Sequence, residues 1–319
     1  MLNTSNKNSV EFSVVIPVYN AEKSLNKLCS GIIKAFTKEL KVSFEIILVD
    51  DASSDNSWDI MEELHLNEHK VKIIQLLNNS GQHNAIMCGI SFAKGDYIIT
   101  MDDDLQHPPE EIPKLVNFII RNPQYDAIIA INEERMHSIF RNVGSYFANK
   151  LINLAIKKPA NIKLSSFRII NHQLKDAILS YRGRNATLGS FICILTKRIA
   201  NIKVKHNKRV YGRSNYSIKK LIQLTLSNIF NFSVLPLKLI SIIGFMSSLF
   251  ALLIAAYITY QKIIGNIKLS GFTTITVLIA LFSGIILFSI GILGNYIMII
   301  LKNINSDKQF MIRNKKIDN

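Results

Sequence analysis

Residues 97–109 read YIITMDDDLQHPP: the β-rich run Tyr97 to Met101 ends directly in Asp102, Asp103 and Asp104, and then continues as Leu105, Gln106, His107, Pro108 and Pro109. Carboxylates crowded at a strand end repel one another and raise their own pKa values unless a cation neutralises them. Alternating oxygens from Asp102, Asp104 and Gln106 suit a hard divalent ion, Mg²⁺ or Mn²⁺, that also takes oxygens from a diphosphate. The plainer reading of the same residues is an acidic turn leading into a helix that opens at Pro108 and Pro109, with Glu110 and Glu111 in its first turn.

Working outward, four more strands alternate with segments of helical spacing: Phe12 to Val18, Phe44 to Asp50, Val71 to Leu76 and Asp126 to Ile131. That alternation predicts an α/β domain with a mainly parallel sheet. A second acidic strand end, Asp50 and Asp51 followed by Ala52, Ser53, Ser54 and Asp55, opens a helix capped at Ser54 or Asp55. Ligands of such a sheet sit at the carboxyl ends of its strands, where these polar residues fall. Neither G-x-G-x-x-G nor a Walker-type run follows the first strand, so a nucleotide here is not held in the dinucleotide or P-loop manner. A longer helical pattern runs from Ser138 to about Lys158, and a last strand is expected near Ile199 to Lys205.

The second half has a different composition. From Leu239 to Tyr260 and from Gly271 to Leu301 there is no charged residue, and each run exceeds the roughly 20 apolar residues that cross a bilayer. Two spans, about 239–260 and 273–299, joined by Gln261 to Ser270, form a hairpin. Lys219, Lys220 and Lys238 precede it and Lys302, Lys308, Arg313, Lys315 and Lys316 follow it, which places both flanks on the cytoplasmic side. No apolar stretch opens the chain, so no signal peptide is expected. The net charge of +15 is concentrated: Lys197 to Lys220 carries nine Lys or Arg and no acid. Just before a membrane span, such a patch faces anionic headgroups or a phosphorylated ligand rather than nucleic acid. Ile218, Leu221, Ile222, Thr225, Leu226 and Ile229 share one face, so Tyr216 to Phe232 reads as an amphipathic helix at the bilayer surface, or else as a core-facing one. The three scattered cysteines carry no metal-type spacing and fit a reducing compartment.

These residues resemble the inverting glycosyltransferases of family 2, with the GT-A fold, in the branch of dolichol-phosphate mannose synthases and bacterial polyprenyl-phosphate glycosyltransferases. The likeness covers Val15 to Asn20, Val49 to Ser53, Gly81 to Ala85, the Asp102 to Pro109 run, and Ser166 to Arg168. It continues through His206, Arg209, Gly212, Ser214 and Tyr216, and ends in the hairpin with Gly294, Asn295 and Tyr296. It implies a Rossmann-like GT-A domain over residues 1–211, an interfacial helix region over 212–234, a transmembrane hairpin over 235–302 and a basic cytoplasmic tail over 303–319. Pro17, Tyr19, Val49 and Asp51 would hold the donor nucleoside. Asp102 and Asp103 would lie along its sugar and phosphates, Asp102, Asp104 and Gln106 would serve the metal, and Arg168 and Arg209 would meet phosphate oxygens.

The resemblance further implies a multi-pass protein of the bacterial inner membrane, its catalytic domain cytoplasmic, that moves one sugar from a nucleotide-sugar, by analogy a UDP-sugar, to an undecaprenyl-type phosphate. It leaves a homo-oligomer open. Three positions depart from the family pattern: Ala21 precedes Glu22 where many relatives have Glu after Tyr-Asn, Ser166 stands where some have an Asp proposed as catalytic base, and Asn215 replaces a usual Lys. A phosphate monoester has a second pKa near 6 and is about nine-tenths dianionic at neutral pH, so the acceptor needs no base. A processive polysaccharide synthase is the rival enzyme, but its Gln-x-x-Arg-Trp segment is missing, since Trp58 is the only tryptophan. A non-catalytic membrane protein with a glycosyltransferase-like domain is the rival of another class.

Overall fold

The structure is a computed structural model that describes residues 10–132, 159, 161–181, 187–207, 235–264, 271–304 and 310–317. Expectations for the helical pattern 138–158, for Arg209 and Asn215, and for the amphipathic helix 216–232 lie outside the described residues. The chain divides into two units: residues 1–149, 156–217 and 307–319 make the first, and 150–155 with 218–306 the second.

The first unit is built on eight strands: β1 (Phe12–Val18), β2 (Phe44–Asp50), β3 (Val71–Leu76), β4 (Tyr97–Thr100), β5 (Ala127–Asn132), β6 (Arg168–Asn171), β7 (Ile199–Val204) and β8 (Ile312–Lys316). They lie in the order β7-β5-β6-β4-β1-β2-β3-β8. β6 and β8 run against the others, and every remaining pairing is parallel. Chain order reverses at β1, which has β2 on one side and β4 on the other, so the crevice between their carboxyl ends is the ligand position of this architecture.

Strands β1 and β2 are buried throughout because both faces are covered. One face carries Val14, Ile16, Leu48 and Ile73 beneath α1 (Leu25–Lys34), α2 (Ser57–Asn67) and α4 (Ile112–Arg121). α1 and α4 each bury a stripe at helical spacing, Leu25, Leu28, Cys29 and Ile32 in one and Ile112, Leu115, Val116 and Ile119 in the other. The opposite face receives α3 (Gln82–Phe92). Gly89 lets that helix approach closely, for a Cβ there would overlap Val15 Cγ1 and come within 3.1 Å of Val49 Cγ2. α5 (His172–Ser180) and α6 (Leu188–Leu195) complete the layer.

The first three strands follow the sequence pattern residue for residue, and β4, β5 and β7 follow it to within one. α2 starts at Ser57, later than the expected cap; Asp55 Oδ1 accepts the Ser57 N–H at 3.0 Å while Asp55 Oδ2 accepts from Glu22 N. β6 and β8 were not expected. Part of the region read as a basic tail is therefore an edge strand of the sheet.

The second unit contains α7 (Leu235–Ile263) and α8 (Phe272–Ile304), of 29 and 33 residues. The two expected spans lie within these helices. Large apolar side chains stand exposed along both, among them Phe245, Leu253 and Ile263 on α7 and Ile279, Phe288 and Ile297 on α8. Side chains are described over only part of each helix, and among the described residues no helix is long and apolar enough to cross a membrane.

Candidate active site

The loops after β1 and β2 are laced together. Asn20, in the left-handed region at φ 53°, donates its N–H to Ser53 Oγ and accepts the Ser54 N–H on Oδ1 at 2.8 Å. Ala21 N–H donates to Ser57 Oγ at 2.8 Å. Such bonds fix the floor of the crevice, because each satisfies a backbone donor that a loop would otherwise expose.

The two acids of the β2 end serve different purposes. Asp50 Oδ1 accepts the Ser53 N–H and Oδ2 accepts Gln75 Nε2, which closes the turn. Asp51, only 3% exposed, accepts Ser80 N–H at 2.7 Å and Gly81 N–H at 2.9 Å. Burial raises its pKa, the two backbone N–H groups lower it, and neighbouring Asp50 raises it again. Pro17 and Val49 are register partners on adjacent strands, both buried. Val49 lies under α3, whereas Tyr19 is half exposed at the rim. Of the four residues expected at the nucleoside, Tyr19 alone presents a large surface, and the other three shape the wall behind it.

The acidic run follows β4. Tyr19 N–H donates to Asp103 Oδ2 at 3.1 Å. Asp102 accepts Gln82 Nε2 on Oδ1 at 2.6 Å and Ser166 Oγ on Oδ2 at 2.5 Å. Asp104 Oδ1 accepts the Gln106 N–H at 3.1 Å, and Leu105 between them adopts φ 59°. Burial pushes the Asp103 carboxyl up to about 7; the Tyr19 N–H opposes this, and the Asp102 and Asp104 charges add to it.

Among the described residues no three His, Cys, Asp or Glu side chains converge as a complete cation cage. The donor set fits Mg²⁺ or Mn²⁺ nonetheless, for such ions bind through one or two carboxylates and fill the remaining positions with substrate phosphate and water. The crowding of Asp102, Asp103 and Asp104 at one strand end is the observation that favours a cation here.

Arg168, at the start of β6, is 7% exposed, donates Nε to Ser166 O, and has no partner at Nη1 among the described residues. Burial lowers its pKa to about 10, with Asp102 opposing that shift. Two histidines that motif reading left without a role lie close by. His107 packs on Phe167 and meets His206 edge-on at 4.9 Å; burial and His206 lower its pKa to about 4. His83 accepts the Leu188 N–H on Nδ1 and is lowered to about 4 by burial and then by Arg168. Gln82 was also missed as a contact of Asp102. Its sequence signals are its place one residue after Gly81, at the opening of a helix, and its membership of the Gly81 to Ala85 stretch, neither of which points to Asp102.

The family model for glycosyl transferase family 2 matches residues 13–179, which include the whole acidic run, Ser166 and Arg168. The chain belongs to this family. An undecaprenyl-phosphate 4-deoxy-4-formamido-L-arabinose transferase of Proteus mirabilis is 35% identical over 304 residues, covering 94% of this chain and 92% of that one. The protein of that name from Pseudomonas savastanoi pv. phaseolicola is 33% identical, covering 94% and 89%. Among solved structures, the glycosyltransferase shares its fold with glucosyl-3-phosphoglycerate synthase of Mycobacterium tuberculosis, crystallised with Mn²⁺, UDP and phosphoglyceric acid. The TM-score is 0.50 at 16% identity, over 70% of this chain and 77% of that one. The sheet is thus that of GT-A glycosyltransferases, as the sequence resemblance implied.

Proposed function

We propose that this glycosyltransferase moves one sugar from a nucleotide-sugar, a UDP-sugar by preference, to a polyprenyl phosphate of the undecaprenyl type, with inversion and release of the nucleotide diphosphate. The observation that carries this reading is the 35% identity to an undecaprenyl-phosphate sugar transferase along nearly the full length of both chains.

The wall made by Pro17, Val49 and Asp51, with Tyr19 at its rim, holds the nucleoside, and Asp103 lies along the sugar and phosphates. Asp102 and Asp104 hold a divalent cation with Gln106 beside them. When bound, the cation supplies positive charge to the departing diphosphate. Arg168, with one guanidinium nitrogen uncommitted, meets a phosphate oxygen, and Arg209 does the same from the basic segment. The acceptor phosphate is already dianionic at neutral pH, so its oxygen attacks the anomeric carbon as the bond to the diphosphate breaks. No proton has to be removed. Catalysis then rests on alignment and on charges fixed in advance.

The second unit anchors the enzyme in the bacterial inner membrane as a two-span hairpin. This reading rests on the uncharged runs Leu239 to Tyr260 and Gly271 to Leu301, each longer than the roughly 20 apolar residues that a crossing needs. Exposed Phe, Leu and Ile side chains along both helices suit contact with lipid. β8 lies beyond both helices in sequence yet pairs with β3, which suits a hairpin of two spans.

The test is to incubate detergent-purified protein with undecaprenyl phosphate, Mn²⁺ and a panel of radiolabelled UDP- and GDP-sugars, and to follow label into the organic phase. A metal-dependent lipid product is expected. A folded protein that labels no lipid from any donor would overturn the reading.

A further inference from the structure

Antiparallel pairing of β6 with β4 sets Arg168 opposite Thr100. Extended by two residues, the same register brings Ser166 opposite Asp102, and the alternation of side chains puts all four residues on one face. The hydrogen bonds agree. Ser166 Oγ donates to Asp102 Oδ2 at 2.5 Å, and the Ser166 carbonyl accepts Thr100 Oγ1 at 2.8 Å and Arg168 Nε at 3.3 Å. From the other side Gln82 Nε2 reaches Asp102 Oδ1 at 2.6 Å. Gln82 opens α3 directly after Gly81, whose φ of 87° an L side chain rarely adopts and whose N–H is bound to Asp51.

We infer that Ser166 and Gln82 are positioning residues that clamp the Asp102 carboxylate from both sides, and that Ser166 does not act as a proton acceptor. The inference rests on the glycosyl-transfer reading above. A hydroxyl donating at 2.5 Å to the Asp102 carboxylate has its proton committed there. Both clamping donors are neutral, so they fix the rotamer of Asp102 without cancelling its charge. A carboxylate ordered beforehand does not have to lose rotamer freedom when it meets a cation, and removing such outer hydrogen bonds costs about 10- to 100-fold in metal affinity or activity. Ser166 also joins Asp102 to Arg168, so the cation-holding and phosphate-meeting groups share one anchor. This explains how a chain without an acid at position 166 remains a competent transferase: the position supports the metal carboxylate.

The experiment compares wild type with Ser166→Ala, Ser166→Thr, Ser166→Asp and Gln82→Ala as full-length protein in detergent. The Mn²⁺ concentration giving half-maximal binding of UDP is measured by calorimetry, with GDP used instead if the wild type selects it; turnover and melting temperature are measured in parallel. Ser166→Ala and Gln82→Ala are expected to raise the half-saturating Mn²⁺ about 10-fold or more and to lower turnover with it. Ser166→Thr keeps the hydroxyl and is expected to stay within about 3-fold of wild type, a rescue that a purely structural role for Ser166 does not require. Ser166→Asp sets a second carboxylate against Asp102 and is expected to lose activity. An unchanged Mn²⁺ requirement in the two alanine variants would overturn the inference, as would a Ser166→Asp enzyme at least as active as wild type, which assigns proton abstraction to this position. If Ser166→Ala fails to fold, Gln82→Ala decides. A wild type that binds Mn²⁺ and nucleotide but labels no lipid overturns the reaction class alone, and one that binds neither overturns both.

Discussion

The backbone N–H of Tyr19 donates to Asp103 Oδ2 at 3.1 Å, so the rim of the crevice is fastened to the middle carboxylate of the acidic run. The same carboxyl is pushed up to about 7, chiefly by burial. In an unfolded chain it titrates near 3.9. Between about pH 4 and pH 7 the folded state therefore holds a proton that the unfolded state has lost, and stability falls as pH rises through that window. Asp103→Asn keeps an acceptor for Tyr19 and removes the titration. In chelator the variant is expected to be more stable than wild type at pH 8 by about 1–3 kcal/mol, with the gain vanishing near pH 4. Thermal unfolding across that range checks this, and a pH-independent difference would refute the assignment.

His83 carries the opposite sign. Its Nδ1 accepts the Leu188 N–H at 3.1 Å, which fixes the neutral ring with its proton on Nε2, and its folded pKa is about 4 against 6.5 for a free histidine. The unfolded chain takes up this proton first, so stability present above pH 6.5 is lost as pH falls toward 4. His107 adds a loss of the same sign. His83→Asn retains an acceptor for Leu188 without titrating. The expectation is a shallower loss of melting temperature between pH 7 and pH 4.5, by about 1–3 kcal/mol in stability. A variant whose acid profile superimposes on wild type would show that His83 is not held neutral.

At the opposite end of the strands, Glu45 near the start of β2 is almost fully buried beside β1 and the turn before β4. Its Oε1 accepts Ser13 Oγ at 2.6 Å and Lys94 N–H at 2.7 Å, and its Oε2 meets Lys72 Nζ at 2.5 Å. Removing one partner of a buried pair strands the other. Glu45→Ala should thus cost about 3–5 kcal/mol, read by urea unfolding, while leaving the half-saturating Mn²⁺ of the folded fraction unchanged. A shift in metal requirement would mean that the two ends of the strands are coupled.

How far the sequence reaches is seen by comparing two strands. β2 is an apolar run interrupted only by Glu45 and ending in Asp50, buried on both faces, and its limits were legible to the residue. β6 is four residues long and begins with an arginine. Its strand character comes from the antiparallel partners β4 and β5, which no local pattern records. The site divides in the same way. The acidic run announced itself by composition, but the clamp on Asp102 depends on residues 20 positions earlier and 64 later, brought together by strand order alone. Asp51 was expected at the donor nucleoside by resemblance alone; that its carboxylate also accepts the Ser80 and Gly81 N–H groups is a use that only the path of the β3–α3 loop reveals.

That loop begins at Leu77, whose N–H donates to Met311 O at 2.7 Å, the first bond of the β8 pairing. β8 covers the outer edge of β3, Lys316 Nζ reaches Glu62 at 2.6 Å, and Lys315 lies 5.1 Å from the Phe92 ring centroid. Deleting residues 307–319 uncovers the backbone donors and acceptors of β3 and frees the start of the segment that holds Asp51. Strand and ion pair can be separated, because the Lys316–Glu62 pair is more than a third exposed on the lysine side and contributes at most about 1 kcal/mol. Lys316→Ala is expected to leave melting temperature and donor KM near wild type. The truncation is expected to lower the melting temperature by several degrees, to raise donor KM, and to promote association through the bared edge, seen by light scattering. A truncated enzyme with wild-type melting temperature and donor KM would show that β8 only rests on the sheet, whereas a Lys316→Ala defect as large as the truncation would locate the effect in the charge and not in the strand.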